Sequence, residues 1–455
     1  MESDIGDRNT RKSEPPAFPA QHKTLSAPRY RPSFCLVALM ALAMVSPALQ
    51  AQQSAGSGTG LREALEQARL HGPLHQLTAA RSETELGRVR ESTQWANPSV
   101  EWRQEGFGRS VDHDIFATAM LPLDFSGRRL ALSQAGSAGR ERVRSEQLAD
   151  WRGAELDVAG AWLEAAVAQG SLAVAETQAA ALREVADVDA QRLAEGLVSE
   201  AVGLRTSLEA DKAQLAVVGA RANVRVANER LARLMGLENT AGFRVSDLEL
   251  PGLPVLPDTA RLLEVAFLHR PEIEAGEALV RERSRWVSAE RRGILGEFEL
   301  QGGTKKIGDI TTGQLGVALP LPLFNRNDGA RQRSVGELTE ARVRLADTRR
   351  AIRGNVRAAM QHYADLSASA MSVGTLARRA EDVRAIARLG YSEGETTLTE
   401  LLDAERAAAD AMLAQLHWLR DAWMGRLNLE LAIGASLDET GPLDLPLFST
   451  LTAGR

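Results

Sequence analysis

The sequence predicts a mainly helical protein with a small β part, built as two copies of a helix–strand–strand–helix unit with long coiled-coil hairpins. Three observations carry this reading. No proline occurs between Pro122 and Pro251, or between Pro322 and Pro442. Both gaps are rich in Ala, Leu, Glu, Arg and Gln, which are good helix formers. Landmarks also recur at a nearly constant offset. His71-Gly72-Pro73 and His269-Arg270-Pro271 stand 198 apart, as do Glu195-Gly196 and Glu393-Gly394, and the segments 231–236 and 429–434; Pro122 and Pro322 stand 200 apart. Self-similarity at one offset is the mark of an internal repeat.

Composition narrows the function. The chain has 455 residues, 44% hydrophobic and 25% charged, which argues against a disordered protein. Its single cysteine, Cys35, excludes an internal disulfide and any cysteine-based metal centre. A formal net charge of −6 argues against a nucleic-acid partner. Residues 1–51 read as a signal peptide: Lys23, Arg29 and Arg31 precede an apolar run over 34–45, then small residues up to Ala51. The alternative is a single N-terminal anchor. Cys35 precedes most of the apolar run, the wrong side for lipoprotein acylation. The remainder, with net charge −8, has no second apolar run of membrane-helix length. Such an exported chain enters a membrane only as a closed β-barrel or at its surface.

The two units span 61–237 and 260–436, separated by a Pro-rich linker over 238–259 and followed by a tail over 437–455. Each opens with a helix, 61–94 or 259–293, of spaced Leu and Ala. Strands follow at about 98–107 and 112–122, and again at 296–304 and 309–322. Val100 and Trp102 alternate with Glu101 and Arg103; Leu315, Val317 and Leu319 alternate with Gln314, Gly316 and Ala318. Two strand pairs leave edges open, so closure requires oligomerisation or another protein. The helix after Arg128 would run ~100 Å at ~1.5 Å per residue. Val167, Val174, Ala181 and Val188 recur every seven residues, as do Leu208, Leu215 and Ala222, and Leu402, Ala409 and Leu416. That period means coiled-coil packing. Hairpin tips fall near 195–200 and 391–400. A soluble bundle has no need of paired strands at the base of each hairpin; a tunnel leaving a membrane does.

Local motifs carry a family resemblance across the mature chain. The first tip, 192–199 (RLAEGLVS), and the second, 390–404 (GYSEGETTLTELLDA), resemble the paired tips of the TolC family of outer-membrane channels. The corner 320–327 (PLPLFNRN), with 121–127 (LPLDFSG) at the matching place, resembles the CzcC-like cobalt–zinc–cadmium components. The resemblance implies a homotrimer pooling four strands per protomer into a twelve-stranded transmembrane β-barrel in outer-membrane lipid, above a helical tunnel in the periplasm. It implies a passive exit duct for heavy-metal cations, working with a periplasmic adapter (membrane fusion) protein and an inner-membrane RND pump. Two alternatives stay open: the same channel serving drug efflux or type I secretion, and a periplasmic coiled-coil adapter without a pore.

No enzyme constellation is present: no phosphate loop, no Gly-x-Ser-x-Gly and no His-Glu-x-x-His. No cofactor is expected. His71 and His75 stand four apart with Pro73 between them, and the match of His71 to His269 favours a shared structural role over metal binding. The resemblance implies a periplasmic gate in the second tip. Tyr391 and Asp403 match family gate residues, Glu400 stands where the family has a second Asp, and Thr396 stands where it has an Arg. Glu393 and Glu395 add acidity, and repeated acids around a pore attract cations and repel one another. Adapter docking falls to Arg192, Gly196, Leu197 and Ser199 of the first tip with Gly394 and Thr397 of the second, where small residues permit close helix approach.

Overall fold

The computed structural model describes residues 58–107, 113–238, 243–249, 253, 255–256, 258–296 and 298–437. The expected signal peptide, and the tail beyond 437, lie outside these residues. The element order runs twice through the same series. In the first half it is α1 (Leu61–His71), α2 (Pro73–Thr93), β1 (Ser99–Glu105), β2 (Asp114–Leu123), α3 (Arg128–Ala194) and α4 (Glu200–Met235). In the second it is α5 (Thr259–His269), α6 (Pro271–Arg292), β3 (Phe298–Ile307), β4 (Ile310–Ala318), α7 (Asp328–Glu393) and α8 (Leu398–Ile433), with a 3₁₀ turn at Gly293–Leu295 before β3.

The opening helix of each half, expected as one piece, is broken in two. Pro73 and Pro271 have no N–H to continue the ladder and start new helices at their first position. The breaks are packing points. A Cβ on Gly236 would overlap the carbonyl of His71, and one on Gly434 would press on the carbonyl of His269. The two histidines thus share a backbone role. Above each break lies an apolar core, and the members correspond. Ala64, Ala68, Val158, Leu231 and Met235 are buried in the first; Leu262, Ala266, Val356, Leu429 and Ile433, each 198 further on, are buried in the second. The linker is no free tether. Trp423 donates from its indole to the Glu249 carbonyl at 2.7 Å, and Leu253 and Leu256 pack on the second core.

The long helices α3 and α7, 67 and 66 residues, each span ~100 Å. Each returns along its partner, α3 with α4 and α7 with α8, while α3 also packs on α6 and α8. The seams differ in part from the seven-residue series expected. In α3, Val188 is exposed, and Leu182 and Asp189 are buried. In α4, Leu208 and Leu215 are exposed while Thr206, Ala210, Ala213 and Val217 face inward. In α8, Leu402 and Ala409 are buried as the pattern requires. An 18-residue window of α3 reaches a mean hydropathy of 1.3, so the expectation of no second apolar stretch was too strict; its alanines are spent on helix contacts.

The four strands form one antiparallel sheet in the order β1-β2-β3-β4. The β2–β3 ladder joins the two halves, pairing Leu121 with Leu300 and Ala119 with Gly302. Pro122 does not end its strand. It stays in β2 opposite Glu299, beyond the point where β1 stops at the Ser99–Met120 pair, so no β1 bond is lost. Register sorts the faces. Val100, Trp102, Ala117, Ala119, Leu300, Leu315 and Val317 share one side; Glu101, Arg103, Thr118, Gln301, Lys305 and Gln314 share the other. Among the described residues β1 and β4 each have one free edge.

At the sheet-to-helix corners, Asp124 accepts from the Ser126 N–H at 2.8 Å and the Arg129 N–H at 3.3 Å, capping α3. The second corner is built differently, with no side-chain cap bond from Asn327. Asn327 adopts φ 59° and sends its amide to Glu290, at 2.7 Å from Oε2, tying α7 to α6 instead.

Candidate functional site: the hairpin tips

Each tip reverses the chain through a glycine in the left-handed region, Gly196 at φ 73° and Gly394 at φ 79°, where an L side chain is strained. Neither glycine has any atom within 4 Å of where a Cβ would stand, so both leave open surface. Leu197 is 69% exposed beside Gly196.

A polar cluster joins the two tips. The Tyr391 hydroxyl donates to Asp189 of α3, with Oδ1 at 2.9 Å and Oδ2 at 2.8 Å. Asp189 is 0% exposed. Burial, the hydrogen bond to Asp189 and the charge of that carboxylate push the Tyr391 phenol up to about 12. Arg192 completes the cluster. Its guanidinium lies 5.5 Å from the Tyr391 ring centroid, 3.8 Å from Asp189, and donates to the Ser392 carbonyl at 3.3 Å. Arg192, expected on a docking surface, is therefore spent on the neighbouring tip. The Tyr–Arg pairing that Thr396 removes from the second tip is supplied from the first. Thr396 has its own place: a Cβ on Gly390 would overlap its Oγ1.

Two other expected residues are also committed. Glu400, read as a gate acid, and Thr397, read as a docking residue, form a capping box at the start of α8. Glu400 accepts from the Thr397 N–H at 2.8 Å and from its hydroxyl at 2.9 Å, and these bonds hold its carboxyl below the ordinary range. Asp403 is exposed and lies 3.6 Å from Arg406. Glu393 and Glu395 are exposed with no ion-pair partner among the described residues. Ser199 sits at the start of α4, its hydroxyl making no cap bond.

The outer helices carry a second line of ties. Arg406 of α8 donates to Glu209 of α4 at 2.9 Å, and Lys212 reaches the same carboxylate at 3.1 Å. Arg406, then Lys212, pulls the Glu209 carboxyl below its usual value. Further up, Arg388 of α7 pairs with Glu405 of α8, which is 2% exposed. Sequence reading missed Asp189, Glu209 and Glu405. Asp189 had a signal: it stands seven residues after Leu182, a charge in a coiled-coil seam. Among the described residues no group of three His, Cys, Asp or Glu is placed to hold a metal ion.

Long antiparallel hairpins rooted in a four-stranded sheet with open edges define a class, that of the outer-membrane efflux channels. The chain belongs to the outer membrane efflux protein family, whose model matches residues 76–237 and 262–435. It is thus an outer-membrane protein with its helical part in the periplasm. It is similar to the cobalt-zinc-cadmium resistance protein CzcC of Cupriavidus metallidurans, at 24% identity over 413 residues, covering 87% of this chain and 98% of CzcC. Among solved structures it shares its fold with the CmeC outer membrane channel of Campylobacter jejuni (TM-score 0.71, 14% identity, 84% of this chain and 87% of that one). It likewise shares it with the outer membrane protein VceC of Vibrio cholerae (TM-score 0.68, 18% identity, 83% and 97%).

Proposed function

We propose that this protein is a homotrimeric exit duct for heavy-metal cations, joined through a periplasmic adapter to an inner-membrane RND pump. The observation that carries the trimer is the sheet. Its β1 and β4 edges are open, and both edge strands expose apolar side chains: Trp102 at 63% and Leu315 at 82%. Three copies joined edge to edge make a closed twelve-stranded barrel, apolar toward lipid and polar toward the lumen. The exposed stripes Leu204, Leu208 and Leu215 on α4, and Val383, Ile386 and Leu389 on α7, find cover against neighbouring copies in the same assembly. Residues 61–237 and 260–436 are read as copies of one unit, which is why a single chain supplies two hairpins and two strand pairs.

The tips form the periplasmic entrance. Tyr391 is its latch, holding α7 to the buried Asp189 with Arg192 beside it. Glu393, Glu395 and Asp403 supply acid around the opening, and Glu400 shapes the helix end that carries them. Leu197, with Gly196, Ser199 and Gly394, is the surface for the adapter. The metal cargo rests on similarity to CzcC and on the corner motif. Planar-bilayer recording of detergent-extracted protein tests the channel, with a trimer and stepwise conductance expected. A deletion strain challenged with zinc, cobalt and cadmium, and in parallel with drugs and detergents, tests the cargo. Sensitivity confined to drugs would sink the metal assignment while leaving the channel intact.

A further inference from the structure

The internal repeat makes one seam of the sheet a template for another. The first strand of each half maps onto the other at an offset of 198, the spacing of Pro73 and Pro271. The second strands map at 200, the spacing of Pro122 and Pro322. Gly127 and Asn327, also 200 apart, enter the long helices in the same left-handed conformation, at φ 72° and 59°. The two hairpins obey this mapping pair for pair. Trp102 lies opposite Ala117 as Leu300 lies opposite Val317, and Glu101 opposite Thr118 as Glu299 opposite Ala318. What differs is the far end of the second strand. Leu121, Pro122 and Leu123 lie beyond the Ser99–Met120 pair that ends the β1 ladder, so they are strand through β3 alone. Their counterparts at 321–323 have no such neighbour. β4 ends at Ala318, and the Leu323 N–H turns back onto the Leu321 carbonyl at 2.8 Å. Leu321 and Leu323 are exposed, as are Val100 and Trp102 on the other open edge.

We propose that residues 319–323 are the unformed end of β4, completed by a second copy of this chain: β4 pairs with the partner's β1 in the register that β2 holds with β3. This rests on the barrel reading above and adds the register to it. The Leu121–Leu300 and Pro122–Glu299 pairs of the template become Leu321 opposite the partner's Trp102 and Pro322 opposite the partner's Glu101. Leu323 then meets the partner's Val100. The faces agree. Leu321 and Leu323 continue the side of β4 that carries Leu315 and Val317, and Val100 and Trp102 lie on the same side of β1. The prolines agree as well. Alternation aims the N–H groups of Leu319, Leu321 and Leu323 at one edge and gives Pro320 and Pro322 the other. The leucines thus keep every donor for the partner, and the missing donors fall on the β3 side, where the ladder has ended at the Glu299–Ala318 pair.

Cysteine pairs read this register, because Cys35 is the one native cysteine and lies in the expected signal peptide. Pro322 has no N–H to give, so its pair with the partner's Glu101 is of the non-hydrogen-bonded kind, with Cα atoms ~4.5 Å apart. That is within disulfide reach, whereas a residue two further along the strand, at roughly 8 Å, is not. β1 and β4 are opposite edges of one sheet, so any such link joins two chains. Oxidising full-length Glu101→Cys/Pro322→Cys in outer-membrane vesicles should convert the monomer band into linked dimer and trimer on a non-reducing denaturing gel. Either single variant should stay monomeric there, as should Pro322→Cys combined with Ser99→Cys or with Arg103→Cys. A stronger link from either of these slipped pairs would overturn the register. So would the absence of a link from Glu101→Cys/Pro322→Cys in protein that still extracts as a trimer. Should the Pro322 variants not assemble, Pro320→Cys with Arg103→Cys decides, and Glu101→Cys and Glu105→Cys supply its slipped pairs. Wild-type protein that extracts as a monomer would overturn the barrel reading instead.

Discussion

The two hairpin tips stand 198 residues apart and make the same reversal, yet they are fastened differently. At the second tip Thr397 and Glu400 close a capping box, and Thr396 seats over Gly390. At the first, Ser199 makes no cap bond, Val202 stands where Glu400 does, and Arg192 stands where Gly390 does. The first tip instead reaches outward: Arg192 crosses to Tyr391 and Ser392, and Leu197 faces solvent. One tip is braced within itself and the other leans on it. The contact between them therefore needs both halves, the first supplying Asp189 and Arg192 and the second the Tyr391 side chain.

The largest way to break this arrangement is to remove the point where the tips meet. Asp189→Ala leaves the Tyr391 hydroxyl and the Arg192 guanidinium without their shared acceptor in a buried place. That should cost about 2–4 kcal/mol. The latch reading adds a second readout, a higher open probability in bilayers with trimers still formed. A variant with wild-type thermal unfolding and gating would remove Asp189 from the latch. Leu197→Ser should do the reverse, leaving stability and conductance alone while reducing efflux in cells.

A second contrast between the halves lies at the helix breaks and is read by pH. In the first half Arg69 faces Glu155 at 3.8 Å; at positions 198 further on, Phe267 carries the Arg353 guanidinium 5.2 Å from its ring centroid. Glu155 is buried, and desolvation outweighs Arg69 and Arg152 to push its carboxyl up to about 7. The ordinary value is 4.5, so the folded chain holds a proton there between pH 4.5 and 7 that the unfolded chain has released. Stability from this group is therefore present in full below pH 4.5 and lost as pH rises through 7, by at most about 3 kcal/mol. Glu155→Gln should raise the unfolding temperature at pH 8 and leave it unchanged at pH 4. Arg353→Gln, which removes an exposed cation beside the half-buried Phe267 ring, should show no such pH dependence. Equal pH profiles for wild type and Glu155→Gln would discard the assignment.

The helical gaps and the tips were legible because proline and glycine punctuate the chain, Gly196 and Gly394 marking the reversals, whereas the breaks at Pro73 and Pro271 were passed over and Pro122 stays within its strand. The strands were legible from alternation, and their register was not, since it depends on which strand lies opposite. The site was legible in outline only. Tyr391 stood out, but its partners come from helices about two hundred residues away, and a lone sequence does not say which seam position faces which. The capping box was readable in Thr397-Leu-Thr-Glu400 and was passed over for a gate role, because the acid that suits a pore is the same acid that suits a helix start. Arg192 was assigned by its place at a tip, whereas its contact is decided by the length of its side chain.

The smallest effect is the sharpest test of the difference between the tips. Thr397→Ala removes a hydroxyl that accepts from the Glu400 N–H at 3.3 Å and donates to the Glu400 carboxylate. It should cost about 1 kcal/mol, typical of a lost N-cap. Ser199→Ala at the matching position removes a hydroxyl that caps nothing, and its cost should fall within ~0.5 kcal/mol of zero, as for most surface substitutions. Both residues occupy the first tip-to-helix step after a left-handed glycine, so propensity at the cap is nearly matched and the comparison isolates the side-chain bond. Paired thermal melts of the two variants in one detergent read the gap directly. Equal losses would mean that Ser199 caps α4 in solution and that the first tip is braced like the second.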